Sequence, residues 1–318
     1  MAADTIASVL GTRYPIIQGG MAWCSGADLA AAVSRAGGLG VIGGGSMQPD
    51  LFAAQIAKLR AVCDKPFGVN IPLTFAQSPG LADVAFNEKV PVVITSAGSP
   101  AKYTRRFRDN GSIVLHVVST PDQAQKCERA GVDGVVAEGF EAGGHLSHEE
   151  LTTVVLTAAV VDRVSLPVVA AGGIANGRQM AAAMALGAAG VQIGTRFALT
   201  SESSAHPDYK QRCLAAGATE TLAVLKKLTP MRMLENEFRE KLRTAEAGGA
   251  STEELLALLG EGRPRRGMFE GDLEEGVLEI GQVAGMIDDL PSCAEVIERL
   301  VAEYQAARAA LPSLSRPR

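Results

Sequence analysis

The stretch PVVAAGGIANGRQMAAAMALGAAGVQIGTRF, residues 167–197, decides the fold. It opens on a short Val-rich run, PVVAAGG, too short for an independent helix. An amphipathic segment follows, GRQMAAAMALG (177–187), ending in glycine as a capped helix does. A second apolar run, GVQIGTRF (190–197), completes a strand–helix–strand unit.

Outward from this unit the same rhythm repeats. Earlier runs are PIIQGG (15–20), LGVIGGG (39–45), FGVNIPL (67–73), VVITSAG (92–98), IVLHVVS (113–119) and GVVAEG (134–139). Several lack the alternation of a half-exposed strand, so they read as strands buried on both faces. Between them lie amphipathic stretches such as ADLAAAVSRAG (27–37) and DQAQKCERAG (122–131). Eight runs with helical connections predict an α/β fold, a TIM (β/α)8 barrel, although an open doubly wound sheet shares the alternation. Nearly every run ends in Gly, Ser or Asn, and the carboxyl ends of strands are where barrel enzymes build their sites, which favours the barrel.

The rhythm stops after Phe197. The segments TLAVLKKL, MLENEFREKLRTAEAGG and STEELLALLG read as charged helices, the last with a capping box at Ser251 and Glu254. Residues 1–197 and 266–318 are therefore expected to form the barrel, with 198–265 a helical insertion or lid after strand eight. The basic tract RPRRG (263–267) marks the return as a solvated loop, and CAEVIERLVAEYQAARAAL is a final surface helix before a frayed SLSRPR tail.

Composition narrows the function classes. Of 318 residues 47% are hydrophobic, enough for a large core, and the formal charge of −5 carries no basic block for nucleic acid. There is no basic-then-apolar leader pattern and no run of about 18 apolar residues to span a bilayer. The five scattered cysteines include no CxxC pair, so a cytoplasmic setting is expected.

The glycine loops suggest an anion. In AAGGIANGRQ (170–179) two glycines expose backbone N–H groups and a helix N-terminus adds positive potential. Gly194 N–H and the Thr195 hydroxyl follow the last strand, and a phosphate between the last two barrel loops is a recurrent arrangement. GGM (19–21) and Asn70 suit the edge of a planar heterocycle, so the pattern suggests a flavin mononucleotide (FMN). The stretch EGFEAGGHLSHEE (138–150) holds two of four histidines and reads as a metal site, a proton-transfer site or a polar loop. His145 and His148 are three apart, but no HExxH occurs and the glutamates after His148 suit the start of a helix, so no metal is expected.

Jointly, PIIQGGM, AGGLGVIGGG, KPFGVN, TSAGSP, AEGFEAGGH, PVVAAGGIANGRQMAAAMALGA, GVQIGTRF and GQVAG resemble one flavoenzyme family. It is the FMN-dependent barrel family of nitronate monooxygenases (2-nitropropane dioxygenases) and flavin-type enoyl-acyl-carrier-protein reductases. The resemblance covers about residues 8–210 and 266–306.

It implies FMN at the barrel mouth, with Gly19, Gly20 and Met21 along the flavin and Asn70 on its ring. Gly172, Gly173, Gly194 and Thr195 would hold the phosphate with Gln192 nearby, and Glu138, Gly143, Gly144 and Ala171 complete the cofactor set. His145 matches the catalytic histidine. Gln282 of GQVAG is placed toward the flavin, and His148 departs from the glycine turn common at that place.

The implied activity is nitronate oxidation with O2. The alternatives are an NAD(P)H-dependent enoyl-acyl-carrier-protein reductase, an NAD(P)H:quinone reductase, or a phosphate-ligand binding module without catalysis. Expected partners are a small-molecule substrate and, as an open question, a second copy in a homodimer. A patch of Lys226, Lys227 and Arg232 is the candidate for docking an acidic carrier. His116 is expected in the core or behind the site, His206 at the mouth or in a surface turn, and Trp23 and Cys24 in the pocket wall or the packing.

Overall fold

The computed structural model describes residues 5–311, so the frayed SLSRPR tail lies outside them. Eight parallel strands form the barrel: β1 (Ile16–Gln18), β2 (Gly40–Gly43), β3 (Phe67–Pro72), β4 (Val92–Ser96), β5 (Ile113–Val118), β6 (Gly134–Glu138), β8 (Val168–Ala171) and β9 (Gly190–Ile193). They are ordered β1-β9-β8-β6-β5-β4-β3-β2, and a parallel bridge from Ile17 to Leu39 closes the ring. The open-sheet alternative is thereby excluded. β1, β2 and β8 are buried at every position, as their unbroken apolar runs require.

Ile17, Val41, Ile94, Leu115, Val136 and Val169 fill the interior, and Ile6 and Leu10 of the helix Ile6–Leu10 pack against them. The outward faces of the strands pack on the helices, with Phe52, Ile56 and Phe107 on one side and Phe197, Ile297 and Leu300 on another. Local chemistry sets the helix ends. The Thr120 hydroxyl accepts from Gln123 N–H, Asn176 accepts from Gln179 N–H, and Gly131 ends its helix at φ +78°. Capping boxes start the helices at Ser251 and Ser292. No helix among the described residues is long and apolar enough to cross a membrane.

The inserted segment corrects one expectation. Its helices Glu237–Ala247 and Thr252–Leu259 are as read and Pro207–Leu214 is a further one, but TLAVLKKL is not helical. Thr221–Val224 is strand β10 and Met231–Leu234 is β11, an antiparallel hairpin in register from Thr221↔Leu234 to Val224↔Met231. An eight-residue run stopped by Pro230 is too short to hold a helix alone. Instead Val224, Met231 and Met233 pack on Phe238, Leu242 and Leu255. A further short strand, β7 (Gly144–His145), adds to the free edge of β11. The LSHEE stretch is likewise no helix start, since the next helix begins at Thr153. The RPRRG arginines are neutralised locally: Arg263 pairs with Glu275 at 3.0 Å, Arg265 with Glu270 at 2.9 Å and Arg266 with Asp272 at 2.6 Å.

Helix Ala27–Arg35 can lie against β2 only because residue 40 is glycine: a Cβ there would sit 1.8 Å from the Ala30 carbonyl oxygen. Gly40→Ala is expected to destabilise the protein by about 2 kcal/mol or more, read as a lower urea midpoint. An unchanged midpoint would contradict this packing.

Candidate functional site

A cavity of about 1400 Å³ opens at the carboxyl ends of the strands. Of the residues expected at the cofactor and the proton-transfer site all but Gln282 border it: Gly19, Gly20 and Met21 after β1, Asn70 on β3, and Glu138, Gly143, Gly144 and His145 on and after β6. Ala171, Gly172 and Gly173 border it from β8 and its loop, and Gln192, Gly194 and Thr195 from β9 and its loop. Five separate segments of chain thus converge on one space.

The first wall is set by close backbone contact. A Cβ on Gly20 would lie 2.4 Å from the Asn70 Cβ, so glycine is what lets β1 and β3 meet there. The Asn70 amide donates to Ile94 O at 3.1 Å, which orients it. Gln18 and Ser25, which sequence reasoning missed, hold the loop. Gln18 accepts from Val41 N–H at 2.9 Å and donates to Ser25 Oγ at 2.9 Å. Ser25 Oγ in turn accepts from Met21 N–H at 3.0 Å. A buried glutamine on the last position of a strand is the signal that could have found this pair.

The opposite wall is a backbone cradle. Gly172 and Gly173 are left-handed at φ +91° and +68°, and a side chain at Gly172 would meet Gly139 O at 2.8 Å. Glu141 backs the loop, accepting from Thr153 N–H at 2.8 Å. Thr195 Oγ accepts from Gly281 N–H at 3.0 Å, which leaves its own proton for an anion. The following helix N-terminus is otherwise engaged. Gly177 N–H donates to Glu303 at 2.7 Å and Gln179 N–H to Asn176 at 3.0 Å. The positive potential expected from that terminus is therefore spent on the protein, and the glycine amides and Thr195 hydroxyl remain as donors. This donor set suits a phosphate, and the flat Gly19–Gly20–Asn70 wall suits a planar ring.

His145 is held by the insertion. Gly144 and His145 pair with Arg232 and Met231 of β11, and Leu146 N–H donates to Pro230 O at 2.7 Å. Arg232, only 2% exposed, donates to Phe140 O at 3.0 Å and lies 5.0 Å from the Phe140 ring centre. On the far side Gly143 abuts Ile280 and Gly281, while Gln282 N–H reaches Glu141 O at 3.0 Å. The His145 ring is exposed toward the mouth, edge-on to Phe75 at 6.5 Å.

Polar groups share the cavity lining with it. Burial pushes Glu138 up to about 7. Glu279, on no expected list, also borders the cavity, and burial raises it against the pull of His145. His116 borders the cavity from β5, bonded to the Thr95 hydroxyl at 2.7 Å, and burial lowers it to about 4. It is therefore neutral at physiological pH and stands in the wall.

The remaining candidates divide. Trp23 and Cys24 border the cavity, but burial holds the Cys24 thiol at about 12 and unreactive. His148 and Gln282 are exposed, and neither lines the cavity. His206 caps the helix Pro207–Leu214, accepting from Asp208 N–H at 3.2 Å. The docking patch does not form: Arg232 is buried, Lys226 pairs with Glu150 at 2.5 Å, and Lys227 donates to Ala250 O at 2.8 Å. Among the described residues no cluster of three His, Cys, Asp or Glu side chains is placed to hold a metal.

The sequence model of the nitronate monooxygenase family matches residues 4–85 and 77–303. A Mycobacterium tuberculosis protein named (3aS,4S,5R,7aS)-5-hydroxy-7a-methyl-1-oxo-octahydro-1H-indene-4-carboxyl-CoA dehydrogenase is 34% identical, over 93% of this chain and 94% of its own. The nitronate monooxygenase of Pseudomonas aeruginosa is 35% identical over 69% of this chain and 75% of its own. The solved structure of FabK from Thermotoga maritima, an enoyl-acyl-carrier-protein reductase, superposes with a TM-score of 0.92. It is 44% identical, over 97% of this chain and 98% of that one. A barrel with this cradle, matched along nearly its whole length, belongs to the nitronate monooxygenase family of oxidoreductases.

Proposed function

We propose that this chain is an FMN-dependent oxidoreductase whose substrate is an acyl thioester. The observation that carries the reading is the size of the site. At about 1400 Å³ the cavity exceeds the roughly 300–1,000 Å³ of ordinary ligand sites. It also runs outward to Lys126 and Arg129 on one side and Arg265 on another, which suits a long anionic substrate beside a cofactor. The names of the M. tuberculosis and T. maritima relatives point to the same substrate class.

FMN supplies reversible two-electron chemistry when bound. Asn70 and the Gly19–Gly20 backbone receive its ring edge, and Gly172, Gly173, Gly194 and Thr195 its phosphate. His145, on a strand fixed by the inserted hairpin, exchanges the proton at the substrate α-carbon or holds the developing oxyanion. Segment 198–265 serves as the wall that sets the histidine over the mouth. Oxidation of an alkyl nitronate by O2 is the second reading, favoured by the family match and the P. aeruginosa relative.

Assays under anaerobic and aerobic conditions separate them. The thioester reading expects bound FMN to be bleached by NAD(P)H and reoxidised by a crotonyl thioester, or bleached directly by a hydroxyacyl thioester. Oxygen uptake with propyl nitronate and no response to any thioester would replace it with the second. Protein that binds no FMN would sink both.

His145→Ala is expected to retain FMN and slow turnover by a factor on the order of 10². Unchanged turnover would remove the proton-transfer role. Glu138 supplies a pH test. Its folded value of about 7 lies above the ordinary 4.5, so the folded state holds the extra proton between them. Stability from this group is therefore highest below about pH 4.5 and falls by up to about 3 kcal/mol as pH rises through 7. In flavin-free protein, the urea midpoint of Glu138→Gln should decline less than that of the parent between pH 5 and pH 7.5. Parallel declines would refute the assignment.

A further inference from the structure

Glu279 borders the cavity beside Gly144, and the cofactor, phosphate and proton-exchange roles leave it unused. We propose that Glu279 is the positioning residue of His145, a carboxyl seated against Gly144 that holds the charge of the imidazole during proton exchange. The proposal rests on the reading that His145 exchanges the substrate proton.

Three observations carry it. First, Gly144 is left-handed at φ +74°, and a Cβ there would lie 3.0 Å from Glu279 Oε2. The carboxyl therefore packs on bare backbone next to His145, in space that any side chain at residue 144 would take. Second, one strand fixes both partners. Met231 of β11 pairs with His145, and Met233 bridges Glu279 on the same strand. Leu234 N–H donates to Leu278 O at 2.9 Å, and the Tyr209 hydroxyl donates to the Glu279 carbonyl oxygen at 2.6 Å. Third, the Glu279 carboxyl has no hydrogen-bond donor among the described residues, although it borders the cavity.

The groups facing Glu279 leave His145 as its charge partner. Cys24 approaches from the loop after β1, and Tyr209 from the helix Pro207–Leu214. Burial holds the Cys24 thiol at about 12 and the phenol well above its ordinary range, so both are neutral. Lys210 is turned away, donating to the Thr200 and Ser203 carbonyls at 2.8 Å each. Arg232 is committed to Phe140 O.

The proton balance follows. Imidazolium near carboxylate gives its proton to the substrate anion, leaving neutral imidazole and an unpaired carboxylate in the cavity wall. Burial disfavours that carboxylate, so the pair takes the next proton from solvent and is restored. In the oxidative direction the imidazole takes the substrate proton, and the carboxylate stabilises the imidazolium formed.

The test uses full-length protein, with and without FMN, and the variants Glu279→Gln, Glu279→Asp and His145→Ala. The His145 ring resonance, identified by its loss in His145→Ala, is titrated by NMR. In Glu279→Gln its midpoint should move to lower pH than in the parent, because the neutral amide no longer favours the imidazolium. Glu279→Asp should move it the same way by less. With a crotonyl thioester, kcat in Glu279→Gln should fall about tenfold with KM within twofold, and the pH profile should shift with the ring. An unmoved resonance in a folded Glu279→Gln or Glu279→Asp protein overturns the proposal. Full turnover in His145→Ala overturns instead the reading beneath it.

Discussion

Barrel closure depends on two backbone hydrogen bonds beside β1. Leu39 N–H donates to Ile16 O and Gln18 N–H to Leu39 O, each at 2.9 Å, while Gly19 N–H donates to Ile193 O at 2.9 Å on the other edge. A three-residue strand buried at every position has no water to satisfy its polar groups, so both edges must pair. Closure brings the loops after β1, β3, β8 and β9 to one mouth. The first wall then needs Gly20, since the backbone approaches Asn70 more closely than any side chain permits.

A second, smaller set of backbone bonds determines what the mouth can do. The barrel alone leaves the segment after β6 as a glycine-rich loop. The inserted hairpin gives its tip an edge to pair with, and His145 becomes part of a three-stranded sheet. Arg232 makes this firm by burying its guanidinium between Phe140 and Thr221. The hairpin is thus a structural partner of the mouth. Glycines at 143 and 144 let the segment thread between Ile280 and the Glu279 carboxyl.

Charge is handled by exclusion. Arginines of the RPRRG tract are paired with neighbouring acids, and Lys210 is enclosed by carbonyls. The cavity retains Glu138 and Glu279, both raised by burial, together with His116 and His145. A carboxyl such as Glu138, raised to about 7, is suited to proton traffic and costs the fold stability at higher pH. The outer reaches of the cavity, at Lys126 and Arg129, have the opposite sign and suit an anionic tail.

Much of this was legible in the residues. Eight short apolar runs, nearly all ending in glycine, serine or asparagine, pointed to the barrel, because continuous burial and strand-end turns leave marks at fixed local spacing. The glycine loops, Asn70 and EAGGH likewise pointed to the mouth, and all the residues so identified border one cavity. What the sequence did not disclose are features made by contacts distant along the chain. TLAVLKKL has helix-forming residues, and only pairing with β11 and packing on Phe238 make it a strand. The helix terminus after Asn176 has the pattern of an anion site, yet Glu303, 126 residues away, occupies it. Arg232 reads as surface charge and is buried; Glu279 reads as one more acid and lies beside His145. Local hydrogen-bonding and hydrophobic preferences are properties of neighbours in sequence, whereas burial and charge environment belong to neighbours in space, which only the closed barrel and its docked hairpin bring together.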